Sequence, residues 1–197
     1  QGETLLEHKV TLVDIMASIR LLLGIICFVA VSSNRQPNIH LLNTDNQQRE
    51  KLLAIASQEI GVIEATGNND GERVSAYLAS VHLKKGQPWC AAFVSWVFMQ
   101  GGYSLPRTAW SPDLFTARVK TKQILPANVM GIWFPKLNRI AHVGLEERQQ
   151  GNWLILIEGN TNVAGSREGD GVYRKRRLVK SIATHADWLR IKKGAKP

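Results

Sequence analysis

The chain has 197 residues, 44% of them hydrophobic, enough for one domain with a sizeable core plus an accessory segment, which excludes an intrinsically disordered chain. Its formal charge of +9 favours an anionic partner such as a nucleic acid, a lipid surface or an acidic polymer, without choosing among them.

The first 34 residues differ from the rest. After Met16 and Arg20, residues 21–31 form an apolar run of eleven, followed by small residues. Eleven helical residues span about 16 Å, well short of a bilayer core of about 30 Å. Ala30-Val31-Ser32 offers small side chains where a signal peptidase reads, so residues 16–33 read as a secretory signal peptide. That implies an exported protein, periplasmic or extracellular, with no stable membrane anchor after cleavage. Residues 1–15 precede this initiator candidate and read as an upstream segment. Ile26 is not the small residue that a lipoprotein signal needs before its cysteine, so lipidation at Cys27 is not expected. Once the signal is removed, Cys90 is the one remaining thiol, and a lone thiol in an exported chain needs a reason.

Residues 34–44 are polar and read as a linker. Thr44 or Asp45 can cap a helix running to Ile60, with Leu52, Leu53, Ile55, Ala56 and Ile60 near helical spacing. The run GNNDG at 67–71 is a turn cluster, and a second helix is expected over about 72–82. After KKGQP, residues 91–99 are apolar everywhere except Ser95, which predicts a helix buried on all sides. Pro88 suits its first turn. Cys90 would then lie at the positive end of that helix, where unpaired N–H groups and the dipole favour thiolate over thiol.

Beyond GGYSLP the period changes. Residues 129–134, 140–147, 153–158, 172–178 and 188–191 read as strands. Helices first and strands later predict an α+β domain, N-terminal helices packed on a small antiparallel sheet, over residues 45–197. If RQQGN is a five-residue hairpin loop with Glu147 opposite Trp153, then His142 falls opposite Glu158, close enough for imidazole and carboxylate to meet. Asn160 would project from the same side if the strand continued. Taken singly, Cys90 reads as a packed core residue and His142 as a hydrogen-bonded strand residue. Taken together, they form a nucleophile, a base and an orienting group. The basic run at 174–177 alternates on its strand and so splits its charges between two faces, either as a solvated surface or as an attractor of anions.

The stretches GQPWCAAFVSWVF, AHVGLEE and IEGNTN, with the later GSREGDGVYRKRR, resemble the CHAP domain of the papain-like NlpC/P60 superfamily. The resemblance runs from about residue 47 to 191. It implies a papain-like fold and a secreted cysteine hydrolase that cleaves an amide in the peptide stem of peptidoglycan, as an amidase or an endopeptidase. It places the nucleophile at Cys90, the base at His142, and the third and fourth polar positions at Glu158 and Asn160. Where the family usually carries Gly-Asp in the preceding strand, this chain has Gly131-Ile132. No cofactor and no metal is expected, since GNNDGE lacks the acid count and spacing of an EF-hand loop. The implied partners are peptidoglycan and anionic wall polymers, and the absence of a recognition motif argues against nucleic acid. The alternative is a wall-binding protein that keeps the fold without turnover.

Overall fold

The computed structural model describes residues 39–164 and 169–191. The expected upstream segment and signal peptide lie outside them, as does the first part of the linker. The described elements belong to one compact unit, residues 40–197. Three helices, α1 (Ile39–Gln58), α2 (Glu72–Ala79) and α3 (Cys90–Gln100), precede six strands. These are β1 (Lys120–Thr121), β2 (Val129–Phe134), β3 (Arg139–Gln150), β4 (Trp153–Thr161), β5 (Gly171–Leu178) and β6 (Thr184–Ala186). They form one antiparallel sheet in the order β1-β6-β2-β3-β4-β5. The α+β class with helices packed on an antiparallel sheet is therefore what the chain adopts.

Helix α3 is the middle of the domain. Every residue from Cys90 to Phe98 is buried, as expected for a helix apolar on all sides. Phe93 and Phe98 are fully buried, each worth about 1.5–3 kcal/mol of apolar burial. Tyr77 of α2 packs edge-on against Phe93 and Trp96 and lies tilted beside Trp89. On the sheet, Val129, Val143, Leu145, Ile157 and Val172 belong to the same core as the helices. Met130, Leu154 and Leu156 form a second, smaller cluster, as the two-residue alternation of a strand requires.

Several boundaries differ from expectation. Helix α1 begins at Ile39 rather than at a Thr44 or Asp45 cap, so the second half of the expected linker is helical. Asp45 is used inside the helix, where it pairs with Arg49 one turn on. Pro88 stands before the cap residue Trp89, leaving Cys90 as the first residue of α3. The expected strand at 188–191 is a short 3-10 turn, Trp188–Arg190, because Asp187 caps it by accepting a hydrogen bond from the Leu189 N–H. The last strand is instead Thr184–Ala186, paired with both β1 and β2.

The β3–β4 hairpin is longer and tighter than expected. Gln150 pairs with Trp153, so the turn is two residues, with Gly151 at φ 58°. A bulge at Glu147 shifts the register by one, and nearer the site Leu145 faces Ile157. Relative to the expected register, the pairing near His142 has moved by two residues. An even shift preserves which face each side chain takes, so His142 and Glu158 remain on one face.

Candidate active site

Cys90 is placed by the helix start. Its thiol is buried, and one turn of orphan N–H groups surrounds it because no side chain caps α3. The preceding loop is fixed by Trp89. Its indole N–H donates to Glu64 Oε1 at 2.8 Å, and Glu64 Oε2 accepts from the Asn69 N–H at 2.9 Å. The Ser111 hydroxyl lies 3.6 Å from Cys90 Sγ.

His142 sits on β3 opposite Ile132 and is fully enclosed. Its Nε2 is 2.8 Å from Glu158 Oε2, while its Nδ1 is buried without a hydrogen-bond partner. Nδ1 is thus the nitrogen left to exchange a proton with Cys90. Glu158 in turn accepts from both Arg177 Nε and Nη2, each at 2.6 Å. This bidentate geometry is the strong form of a carboxylate–guanidinium contact. Gly144 makes room for it. A Cβ there would stand 2.6 Å from Glu158 Cγ and 3.1 Å from the Ile157 carbonyl oxygen.

The electrostatics run in one direction. Burial pushes the Cys90 thiol up, but His142, with smaller contributions from Ser111 and the Val143 backbone, holds it below its usual value. Burial pushes His142 down, and Cys90 and Glu158 outweigh it, raising the imidazole to about 9. Burial likewise pushes Glu158 up, and Arg177 and His142 hold it at about 2. Each shift lies in the direction that favours thiolate, imidazolium or carboxylate, with Arg177 closing the chain of alternating charges.

Of the four residues expected at the site, three come together: Cys90, His142 and Glu158. Asn160 does not join His142. Continuing the observed β3–β4 pairing would set Asn160 opposite His142, but the strand departs from regular geometry there and Asn160 adopts φ 53°. Asparagine tolerates this left-handed conformation better than most residues. Its Oδ1 accepts from the Trp89 N–H at 3.3 Å, and its Nδ2 donates to Asn69 Oδ1 and the Gly169 carbonyl. Asn160 therefore braces the helix start rather than the imidazole.

Arg177 and Ser111 are the residues that sequence reasoning missed. Arg177 lies within the basic run, and strand alternation held a clue. Lys175 and Arg177 pair opposite Leu156 and Leu154 on the face that carries Glu158, whereas Arg174 and Arg176 point outward to Glu147 and Trp153. The basic run is thus half surface and half site. Ser111 comes from a short 3-10 turn with no distinctive pattern. Among the described residues, no group of three or more His, Cys, Asp or Glu is arranged to hold a metal ion.

The thiol opens onto a cleft of about 360 Å³ bounded by Leu83, Pro88, Trp110, Ser111, Arg139 and Ala141. Arg139 lies over the Trp110 ring, 4.0 Å from its centroid. A buried thiol on the wall of a cleft, with its titration lowered by a neighbouring imidazole, is the arrangement that nucleophilic chemistry requires.

No family model matches the sequence. Over 76 residues it is 34% identical to the probable endopeptidase p60 of Listeria welshimeri, a match covering 34% of this chain and 14% of that protein. The chain thus spans about a seventh of the length of this curated relative. Among solved structures it is similar to Ly7917, at 15% identity and a TM-score of 0.41, over 70% of this chain and 61% of that one. The structure of Ly7917 with the hydrolyzing product of MDP gives the same identity at a TM-score of 0.40. The likeness to NlpC/P60-type peptidases read from the motifs is shared with the curated relative.

Proposed function

We propose that the protein is a peptidoglycan hydrolase of NlpC/P60 type that cleaves an amide of the peptide stem by nucleophilic catalysis from Cys90. The observation that carries this reading is the buried His142, bonded through Nε2 to Glu158 with Nδ1 unbonded, beside a thiol depressed below its usual value. The curated relative, named a probable endopeptidase, supports hydrolysis of a peptide-type amide.

In the proposed reaction the Cys90 thiolate attacks the carbonyl carbon of the amide. The developing oxyanion is held by backbone N–H groups at the start of α3, where the helix leaves donors unpaired. The tetrahedral intermediate collapses as His142 gives its Nδ1 proton to the leaving amine, and a thioester to Cys90 remains. Water, deprotonated by the now neutral His142, attacks the thioester, and the thiolate departs with the proton back on the imidazole. Glu158 keeps the ring oriented and favours its protonated form, and Arg177 keeps Glu158 ionised. Ordinary values for general-base catalysis and oxyanion stabilisation are about 10²–10⁴ and 10²–10³.

The test is incubation of the full chain and its Cys90→Ala variant with purified peptidoglycan, with mass spectrometry of the soluble products. Release by wild type alone is expected, and the new amino terminus names the bond. An N-terminal L-alanine marks an amidase; an amino terminus inside the stem or cross-bridge marks an endopeptidase. Equal release by both proteins refutes the mechanism. Binding to peptidoglycan by both, with release by neither, replaces it with the wall-binding alternative.

A further inference from the structure

The cleft over Cys90 does not end at Arg139. A second depression of about 470 Å³ also has Arg139 in its wall, together with Phe115, Lys120, Trp133 and Thr184. A third, of about 720 Å³, shares Lys120, Ala183 and Thr184 with the second and adds Lys122, His185 and Arg190. Arg139 borders the first two depressions and Lys120, Ala183 and Thr184 border the last two, so the three lie side by side, a candidate groove running from the thiol past Arg139 to the β1–β6 edge of the sheet.

Its chemistry runs from aromatic near the thiol to cationic at the far end. Trp110 and Trp133 stand at the first two depressions with half their surface open, 50% and 46%. The two rings border neighbouring depressions, Trp110 with the Arg139 guanidinium over one of its faces. Flat, rigid indoles suit the apolar faces of pyranose rings, which bury area while their hydroxyls stay wet. Among the described residues, no acidic side chain lines any of the three depressions, whereas Arg139, Lys120, Lys122 and Arg190 do. Arg190 is partly neutralised by Asp187, 3.3 Å away. No carboxylate pairs with Arg139 among the described residues, and its guanidinium is held over Trp110. Neither a short apolar peptide nor a small neutral ligand needs aromatic plates followed by a row of cations. A long saccharide strand carrying acidic peptides matches both features.

We propose that this groove binds the polysaccharide strand of the substrate, with Trp110 and Trp133 stacking on sugar rings and Arg139 and Lys120 pairing with carboxylates of the stem peptides that the strand carries, so that the protein acts on polymer in preference to short fragments. The proposal rests on the peptidoglycan-hydrolase reading for its substrate.

The experiment uses Trp133→Ala and Lys120→Glu, both exposed positions outside the lining of the cleft at Cys90. The substrates are glycan strands with their stem peptides, freed of phosphate-bearing polymers, and the same material cut to disaccharide–peptide units. Wild type is expected to show a kcat/KM at least tenfold higher on strands than on units. Each variant lowers that ratio at least fivefold through KM on strands. A wild-type ratio near one, or variants that leave the ratio unmoved, overturns the proposal. Sedimentation of Cys90→Ala protein with insoluble peptidoglycan gives a readout free of catalysis. Adding either groove substitution is expected to weaken that binding at least fivefold, and undiminished binding overturns the groove. Loss of hydrolysis with groove-dependent binding retained refutes the catalytic reading alone.

Discussion

Replacing Glu158 by glutamine tests the charge chain at its middle. The side chain keeps its size and an oxygen for His142 Nε2, but loses its charge. His142 titrates at about 9 against an ordinary 6.5, a difference worth about 3 kcal/mol in favour of the protonated ring. Two groups raise it against burial, Cys90 and Glu158, so together they supply more than that net figure. Cys90 contributes most and Glu158 next, so removing the Glu158 charge is expected to lower the ion-pair population on the order of tenfold. Arg177, left facing a neutral amide, adds repulsion towards the imidazolium. The working window narrows from both sides. Imidazolium, present below about 9 in wild type, is lost at least one pH unit lower, and thiolate forms at higher pH than before. The alkaline limb of kcat/KM on a soluble stem peptide reads the first change. The rate of Cys90 alkylation by iodoacetamide against pH reads the second and needs no turnover. Superimposable profiles for wild type and variant in both assays would refute the reasoning.

Gly144→Ala is expected to cost at least tenfold in kcat, because its Cβ would stand 2.6 Å from Glu158 Cγ and must push that carboxylate off His142. A melting curve separates this from unfolding. Acid stability follows from Glu158, whose carboxyl is held at about 2 against an ordinary 4.5. Its contribution, about 3 kcal/mol, is present above pH 4.5 and lost as pH falls towards 2. Urea titrations across that range should show the loss in wild type and a smaller one in Glu158→Gln. Asn160→Ala, which frees the Trp89 N–H, should lower kcat by about tenfold or less and leave both pH limbs in place. A moved limb would mean that Asn160 acts on the imidazole after all.

The helices and four of the strands were legible because their signals are local. The all-apolar run after Pro88 and the change from helical to strand spacing reflect residues that choose their own backbone. What failed was long-range or a matter of one residue. The hairpin was expected to turn through RQQGN, yet Gly151 and Asn152 alone make the turn and Glu147 bulges. Nothing in the sequence distinguishes these alternatives, since both keep the same faces inward. His142 and Glu158 met because an even displacement leaves faces unchanged, so the contact was right for a register that was not. Asn160 and Glu158 looked interchangeable two positions apart. The left-handed conformation at Asn160 separated them, and backbone conformation at one polar residue leaves no periodic trace. His185 looked unremarkable, yet it bonds the buried Glu146, a partner 39 residues away.

Strand β4 sends Glu158 to the base and Asn160 to the residue before the nucleophile. Both halves of the dyad are thereby gauged from one short piece of backbone. A shift of β4 would therefore carry the partner of the imidazole and the brace of the helix start together, much as the two arms of a balance share one beam. Warming should then loosen the cleft wall at Trp110, which lies outside the sheet just before the 3-10 turn that carries Ser111, before it spoils proton transfer. Substrate capture, rather than chemistry, is the step that heat should blunt first.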